Sequence, residues 1–201
     1  MSNDSQKATP KPDRSLILAS GSPRRKSLLA EIIENFEVIV PHVDEMISHA
    51  GGPAELVAGN AWIKANSVAI KYPERWVLGS DTVVVLNEEV LGKPKDIIEA
   101  KNMLQKLSGK KHQVHTAICL INRSLDLQKK ETFTSYVTFR ELNEQIIESY
   151  FSIVDPLDKA GAYAMQTKPE MLIKSFEGSR NNIIGLPIEK LAKWFMKFRI
   201  N

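Results

Sequence analysis

The sequence predicts a mixed α/β fold, and two observations carry that prediction. Helical and strand patterns are interspersed along the chain, which is typical of folds that pack helices against a sheet. Two long strand patterns, residues 114–121 and 132–139, follow each other with only a polar turn between them. Such a pair predicts an antiparallel hairpin, and a hairpin argues against a purely parallel sheet. We therefore expect a mixed twisted sheet with flanking helices.

Elements in the first half of the chain follow from apolar runs and from the residues that interrupt them. Ser22 is a good helix N-cap and Pro23 suits the first helical position, so a helix follows the first short apolar strand. Pro41 ends the next strand, and Pro73 ends a long helix. In order, we expect strands at 16–18 and 36–40, a helix at 53–72, a strand at 76–86 and a returning segment at 90–94.

Capping residues define the elements of the second half. Asp96 with Glu99 resembles a capping box and begins a helix that runs to Leu107. Asn143 caps a short helix that ends near residue 151. Beyond the hairpin we expect a strand at 171–176 and a final helix at 187–198.

Composition describes an ordinary soluble protein. The chain has 201 residues, of which 43% are hydrophobic and 25% charged, and its net charge is +3. This mild positive charge suits an anionic substrate and is too weak to indicate nucleic acid. Residues 1–14 are polar and contain prolines, so we expect a disordered tail and a single domain over 15–201.

The sequence predicts neither a membrane span nor a signal peptide. No apolar run approaches the ~18 residues needed to span a membrane. The N-terminus has no apolar segment of a signal peptide, so we expect a cytoplasmic protein. The lone Cys119 lies in an apolar stretch and is expected to be a buried thiol.

An anion site is predicted where the first strand meets the first helix. Ser20 and its neighbours allow a tight turn, and Arg24, Arg25 and Lys26 follow in the first helical turn. Cations are unfavourable there, because the free N–H groups already make that end of a helix positive. Positive charge at this place indicates an anion such as phosphate. The alternative is three solvated surface charges.

Asp81 is the strongest candidate for chemistry. It lies inside an apolar strand, with Thr82 and three valines after it. Carboxylates are seldom buried unless they are paired or bind a cation. Asp81 is therefore a candidate general base or metal ligand, and the alternative is a carboxylate that only caps neighbouring backbone.

Other candidates are weaker by themselves. Glu45, next to Asp44 in a loop, gains weight only if it faces Asp81, because a hard divalent cation needs two or three carboxylates. Lys93 lies between a glycine and a proline, so it is either presented into a cleft or a surface lysine in a turn. Lys64 lies in the predicted long helix, where we interpret it as solvated.

Lys159 and Gln166 bracket a small-residue segment that a ligand can approach closely.

Signatures of familiar sites are mostly absent. None of the four histidines has metal-ligand spacing, and two of them, His112 and His115, are expected at the start of a strand. Phosphate-binding loops and serine-hydrolase motifs are not found. The residues by themselves indicate an anion-binding cleft enzyme that uses a metal.

A series of eight motifs resembles one family. SGSPRR, DE, GSDTVV, GKP, LSGKKHQVHTA, VTFREL, DPLDKAGAYAMQ and NNIIGLP occur in the order found in the Maf proteins, over about residues 15–195. These proteins are nucleoside triphosphate pyrophosphatases that were first associated with septum formation. The resemblance implies a cleft between two lobes, a fold related to inosine triphosphatases, and hydrolysis of a nucleoside triphosphate to the monophosphate and pyrophosphate. A divalent metal, Mg²⁺ or Mn²⁺, is also implied. A homodimer is in keeping with the family, but the resemblance leaves the oligomeric state open.

The resemblance also implies roles for particular residues. Asp81 corresponds to the proton acceptor of the family, and Glu45 and Asp81 to its metal ligands. The substrate-binding positions correspond to Ser20, Arg24, Arg25, Lys64 and Lys93.

Three positions bear on the choice of substrate. Members that act on dTTP and UTP carry the residues found here as Arg24, Thr82 and Gln166, whereas members that act on 7-methyl-GTP carry tryptophan, glutamine and glutamate. A neutral amide suits thymine or uracil, and a carboxylate suits a positively charged methylated guanine. The chain departs from the family pattern at residues 167–169 and at Arg180, in the region expected to form the loop on the base side.

Rival functions use the same features differently. A non-catalytic nucleotide-binding regulator of septation would need only the cations, and the presence of Asp81 favours the enzyme. A nucleic-acid-binding protein would need a continuous basic face with aromatic side chains, and the cations here are scattered. The expected partner is a small nucleoside triphosphate, with neither nucleic acid nor membrane.

Overall fold

Seven strands, seven α-helices and one short 3-10 helix (Ala160–Ala162) lie within residues 15–200, which are the residues that the computed structural model describes. The strands are β1 (Leu16–Ala19), β2 (Phe36–Val38), β3 (Trp76–Leu86), β4 (Glu89–Leu91), β5 (Lys111–Asn122), β6 (Leu127–Phe139) and β7 (Ile173–Glu177). The helices are α1 (Pro23–Ala30), α2 (Pro53–Ala69), α3 (Ile97–Leu107), α4 (Glu144–Phe151), α5 (Pro169–Leu172), α6 (Arg180–Ile184) and α7 (Ile188–Phe198). The predicted tail, residues 1–14, lies outside the described residues, as does Asn201.

The strands form one mixed sheet, as predicted. Their order is β2-β1-β3-β5-β6-β7, and β4 lies beside β3. Strand β1 runs parallel to β2 and β3, whereas β3, β5, β6 and β7 pair antiparallel in succession. The predicted hairpin is β5–β6, and it is longer than expected because its polar ends also pair, from Lys111 with Thr138 to Asn122 with Leu127.

The sheet opens in the middle of β3. On one edge of this strand, β1 pairs with residues 76–79 and β4 pairs with residues 84–86. Residues 80–83 lie between these two partners and pair only with β5 on the opposite edge. The opening lies at the carboxyl end of β1, the kind of position where ligands bind in open α/β sheets.

Alternation along β3 points its side chains to two different cores. Trp76, Leu78, Val84 and Leu86 belong to the larger core, which includes residues of α1, α3, α4 and α7. Val77, Val83 and Val85 belong to a smaller core with α2. Period-two geometry therefore places Thr82 on the face of the larger core and Asp81 on the face of α2.

Gly79 lets α2 lie directly on β3. A Cβ atom at this position would be 2.3 Å from the carbonyl oxygen of Ala61 and 2.7 Å from the backbone nitrogen of Ala65. Because both contacts are with backbone, α2 would have to move to admit a side chain. This close approach places two neighbouring side chains of α2, those of Asn60 and Lys64, against Asp81.

Several element boundaries differ from the prediction for local reasons. Helix α2 ends three residues early because the N–H of Lys71 bonds the carbonyl of Val68, which tightens the last turn. The strand expected at 171–176 begins at Ile173, since Met171 and Leu172 close α5. Helix α6 was not predicted, because five residues are too few for a periodic pattern. Cys119 is fully buried as predicted, and burial raises the pKa of its thiol to about 12.

No helix within residues 15–200 is both long enough and apolar enough to cross a membrane.

Candidate active site

A cavity of about 660 Å³ lies at the opening in β3. Eight of the nine residues predicted for the site line it, and they come from five different parts of the chain. They are Ser20, Arg24, Arg25, Glu45, Lys64, Asp81, Thr82 and Lys93. The fold therefore brings together side chains that lie up to 73 residues apart in sequence, from Ser20 to Lys93.

The first turn of α1 presents the arginines as predicted. The Ser22 hydroxyl accepts the backbone N–H of Arg25 at 3.5 Å, and Pro23 occupies the first turn. Arg24 donates to the carboxylate of Asp158 at 2.6 Å and to its carbonyl at 3.1 Å. Lys159 also bonds the Asp158 carboxylate. Burial alone would raise the pKa of Asp158, but the hydrogen bonds from Lys159 and Arg24 outweigh it and hold that pKa below its ordinary value.

Three partners hold Arg25, and two of them, Ser20 and Thr82, line the cavity. Its Nε donates to the carbonyl of Gly185 and its Nη2 to the hydroxyl of Thr82, each at 2.9 Å. Its Nη1 lies 3.4 Å from the Ser20 hydroxyl. Burial lowers the pKa of Arg25, which the negative charge of Asp81 partly offsets. A guanidinium nevertheless stays charged in proteins, so this side chain remains a fixed cation.

Lys64 joins the two candidate carboxylates. Its Nζ lies 2.7 Å from Asp81 Oδ1 and 2.7 Å from Glu45 Oε2. Asp81 is only 7% exposed and Lys64 8%, whereas the side chain of Glu45 is 49% exposed. The interpretation of Lys64 as a solvated lysine is therefore wrong, because the close packing of α2 on Gly79 turns it inward. The condition set for Glu45, that it should face Asp81, is met through this shared ammonium.

Asn60 is a site residue that the sequence did not reveal. Its Oδ1 accepts the backbone N–H of Met46 at 2.8 Å, and its Nδ2 donates to the Met46 carbonyl at 3.0 Å. The same Nδ2 lies 3.4 Å from Asp81 Oδ2. Asn60 thus fixes the loop residue next to Glu45 while it contacts Asp81. The available signal was its position one helical turn before Lys64, on the same face of α2.

Asp158 was also missed, and Gln166 lies apart from the other predicted residues. Asp158 lines the cavity through its contact with Arg24, although it is 138 residues from Ser20 in a loop without any periodic pattern. Gln166 is exposed and is not among the residues that line the cavity, whereas its neighbour Met165 is. The structure therefore brings together every predicted site residue except Gln166.

Two of the histidines, His112 and His115, lie near the start of a strand, as the sequence predicted. His112 and His115 are buried side chains within β5. Burial lowers the pKa of His112 to about 4, and its Nε2 is 2.9 Å from the hydroxyl of Tyr163.

A divalent cation fits the carboxylates only together with a substrate. Within residues 15–200 there is no group of three histidine, cysteine or acidic side chains that could hold a metal. Glu45 and Asp81 nevertheless offer carboxylate oxygens on the cavity wall around one ammonium. One or two carboxylates plus phosphate oxygens of a substrate are the set by which Mg²⁺ is usually held. The donor chemistry is therefore compatible with Mg²⁺ or Mn²⁺.

Solved structures support the fold. The structure of the Staphylococcus aureus Ham1 protein matches with a TM-score of 0.55 and 16% identity, and covers 92% of this chain and 100% of that chain. A HAM1 protein from Coxiella burnetii matches with a TM-score of 0.54 and 17% identity, over 92% of this chain and 99% of that one. At these identities the likeness concerns the fold alone, and it confirms the predicted mixed α/β architecture.

Sequence comparison identifies the family. A protein from Bacillus cytotoxicus named dTTP/UTP pyrophosphatase is 43% identical over 189 residues, which is 92% of this chain and 96% of the relative. A protein of the same name from Symbiobacterium thermophilum is 44% identical over 183 residues, or 91% and 93% of the two chains. The family model described as Maf-like protein matches residues 15–198. The chain therefore belongs to the Maf family, as its motifs predicted.

Proposed function

We propose that this protein is a nucleoside triphosphate pyrophosphatase that hydrolyses dTTP and UTP to the monophosphate and pyrophosphate. Relatives that are 43% and 44% identical over more than nine-tenths of the chain carry the name dTTP/UTP pyrophosphatase. The observation that carries the proposal is the cavity itself, whose wall combines the buried carboxylate of Asp81 with five cationic side chains, those of Arg24, Arg25, Lys64, Lys93 and Lys159. Such a site suits a polyphosphate that is both bound and hydrolysed.

The cations bind the triphosphate in this proposal. Arg24, Arg25 and Lys93 lie on the cavity wall, and the Ser20 hydroxyl lies beside Arg25. Guanidinium groups bind phosphate oxygens in a fork geometry, whereas Lys93 acts as a point charge. Fixed cations also stabilise the charge that develops on the departing pyrophosphate.

Asp81 accepts the proton of the attacking water. Lys64 holds Oδ1 and Asn60 lies near Oδ2, which fixes the orientation of the carboxylate and leaves other lone pairs for a water molecule. The water attacks the α-phosphorus in line with the bond to the leaving pyrophosphate. The proton passes to Asp81 as the new P–O bond forms, and the P–O bond to the pyrophosphate breaks.

A divalent cation would be held by Asp81 and Glu45 together with phosphate oxygens. When bound, Mg²⁺ or Mn²⁺ supplies positive charge that polarises the phosphoryl group and neutralises the leaving group.

The choice of base is assigned to Arg24, Thr82 and Gln166. Thr82 is bonded to Arg25, so its contribution to specificity includes the placement of that guanidinium. Gln166 follows Met165 in the wall and must reach a base at the rim of the cavity.

The proposal extends to the setting of the enzyme. We place it in the cytoplasm as one functional domain over residues 15–201, acting on free nucleotides in cleansing of the nucleotide pool or in arrest of cell division. A homodimer is tested by light scattering coupled to gel filtration, for which a mass near 45 kDa, twice the 22.6 kDa of one chain, supports the dimer.

A panel of triphosphates tests the function. The protein is incubated with dTTP, UTP, 7-methyl-GTP, ATP and GTP in the presence of Mg²⁺ or Mn²⁺, and pyrophosphate and orthophosphate are measured separately. We expect pyrophosphate from dTTP and UTP and little from the others. Tight binding of dTTP with no product would instead support the non-catalytic regulator, and orthophosphate as the first product would contradict attack at the α-phosphorus.

A further inference from the structure

Behind Arg25, a chain of hydrogen bonds runs through the sheet to α6. The hydroxyl of Thr82 on β3 lies 3.0 Å from the hydroxyl of Thr116, its direct partner on β5. Thr116 in turn donates to the carbonyl oxygen of Asn182 in α6 at 2.8 Å. Thr116 is fully buried and does not line the cavity.

The groups at the two ends of this chain, the Asn182 carbonyl and the Arg25 guanidinium, determine which atom donates in each hydrogen bond. A hydroxyl has one hydrogen, and a carbonyl oxygen can only accept. Because the hydrogen of Thr116 points to Asn182, Thr82 must donate to Thr116. The lone pairs of Thr82 then remain for Arg25, whose Nη2 donates to this hydroxyl at 2.9 Å.

The same segment holds Arg25 at a second point. Gly185, directly after α6, accepts the Nε–H of Arg25 at 2.9 Å. The Ser80 hydroxyl donates to this carbonyl as well, at 3.2 Å. Arg25 is thus bonded on Nε and Nη2 to acceptors that both depend on the placement of α6. One N–H of Nη1 donates to the Ser20 hydroxyl at 3.4 Å, which leaves one N–H on each terminal nitrogen for an anion in the cavity.

We propose that Thr116 is a positioning residue, which acts through Thr82 to orient the Arg25 guanidinium for a phosphate group of the substrate. The inference deepens the proposed function and rests on it for the identity of the substrate. Without the Thr116 hydroxyl, Thr82 has no acceptor at this place and is free to rotate its hydrogen toward Arg25, which removes the acceptor for Nη2. A guanidinium that binds phosphate in a fork loses affinity when its plane turns.

Two substitutions separate the hydroxyl from the volume of the side chain. Thr116→Val keeps the shape and removes the hydroxyl, whereas Thr116→Ser keeps the hydroxyl. Thr134→Val is a matched control, because Thr134 on the neighbouring β6 bonds His115 at 2.9 Å and has no link to Arg25. Inorganic pyrophosphate binding is measured by calorimetry, and kcat and KM are measured with dTTP.

We expect Thr116→Val to weaken pyrophosphate binding and to lower kcat/KM about fivefold, the size expected for one lost hydrogen bond. Thr116→Ser and Thr134→Val should stay within about twofold of the unsubstituted protein in both measurements. In an Arg25→Ala background the effect of Thr116→Val should vanish, since a residue that acts through Arg25 has no effect without it. Thermal unfolding of every variant separates loss of stability from loss of positioning.

Three outcomes overturn the inference. Unchanged pyrophosphate binding in Thr116→Val does so, as does an undiminished effect in the Arg25→Ala background, which would indicate a structural role only. A protein that binds no pyrophosphate at all also contradicts it. If dTTP is not hydrolysed while pyrophosphate binding still depends on Thr116 through Arg25, the proposed function fails and the positioning role stands.

Discussion

Replacement of Lys64 by methionine tests the electrostatics of the site. The Lys64 ammonium is 2.7 Å from a carboxylate oxygen of Asp81, and both residues are at most 8% exposed. Without it, Asp81 keeps only the contact to Asn60 at 3.4 Å and faces Glu45, which shared the same ammonium. Removal of one partner of a buried ion pair costs about 3–5 kcal/mol, and we take the lower end because Asp81 also faces the open cavity. At about 2–4 °C per kcal/mol for a chain of this length, Tm should fall by about 6–12 °C.

Urea unfolding followed by circular dichroism measures the loss in the free energy of unfolding. Lys106→Met is the matched control, since Lys106 bonds Glu89 at 2.7 Å on the surface and should change the free energy of unfolding by less than about 1 kcal/mol. The double variant Lys64→Met/Asp81→Asn should recover about 2 kcal/mol relative to Lys64→Met, because no buried charge is left without a partner. A Lys64→Met protein within 1 kcal/mol of the unsubstituted one, or a double variant no more stable than the single, would refute this account.

Three further predictions concern the pH dependence, the packing of α2 and the choice of base. Burial lowers the pKa of His112 from 6.5 to about 4, so as the pH falls the unfolded chain protonates this imidazole before the folded chain does. The free energy of unfolding should therefore fall by about 3 kcal/mol as the pH drops from 6.5 to 4. His112→Gln should remove most of that slope in urea titrations, and a slope that persists would exclude His112 as its source. Gly79→Ala should destabilise the protein by about 1–3 kcal/mol and lower kcat by displacing α2, whereas Gly92→Ala, where a Cβ meets nothing within 4 Å, should leave stability nearly unchanged. Equal stability of the two alanine variants would contradict the close approach of α2. Gln166→Glu should shift the kcat/KM ratio of dTTP and UTP to 7-methyl-GTP toward the methylated nucleotide, and an unchanged ratio would count against Gln166 as a specificity residue.

Local sequence signals predicted the start of α1 and the burial of Asp81 correctly. Ser22 and Pro23 begin α1 where expected, and they place both arginines on the cavity wall. Asp81 was recognised because a carboxylate in an apolar strand is unusual, and its burial confirms that reasoning. These features depend on residues within a few positions of one another, which is why a single sequence reveals them.

Contacts between distant segments could not be predicted in the same way. The pairing of Lys64 with Asp81 depends on the approach of α2 to Gly79, which no helical pattern specifies. Asp158 reaches Arg24 across 134 positions of sequence, and Thr116 meets Thr82 only through the register of β3 and β5. Strand register and loop placement are tertiary properties, so their consequences for the site appear only in the folded chain.

Asp81→Asn is the variant that tests the central claim most directly. With dTTP and Mg²⁺, kcat should fall by about 100-fold or more, whereas the Kd of dTTP should change far less, because an amide fills the same space but accepts no proton from water. The control is Asp126→Asn in the exposed turn between β5 and β6, a left-handed position that asparagine also tolerates, and its turnover should match that of the unsubstituted protein. Turnover of Asp81→Asn within a few-fold of the unsubstituted enzyme would contradict the role of this carboxylate as the proton acceptor.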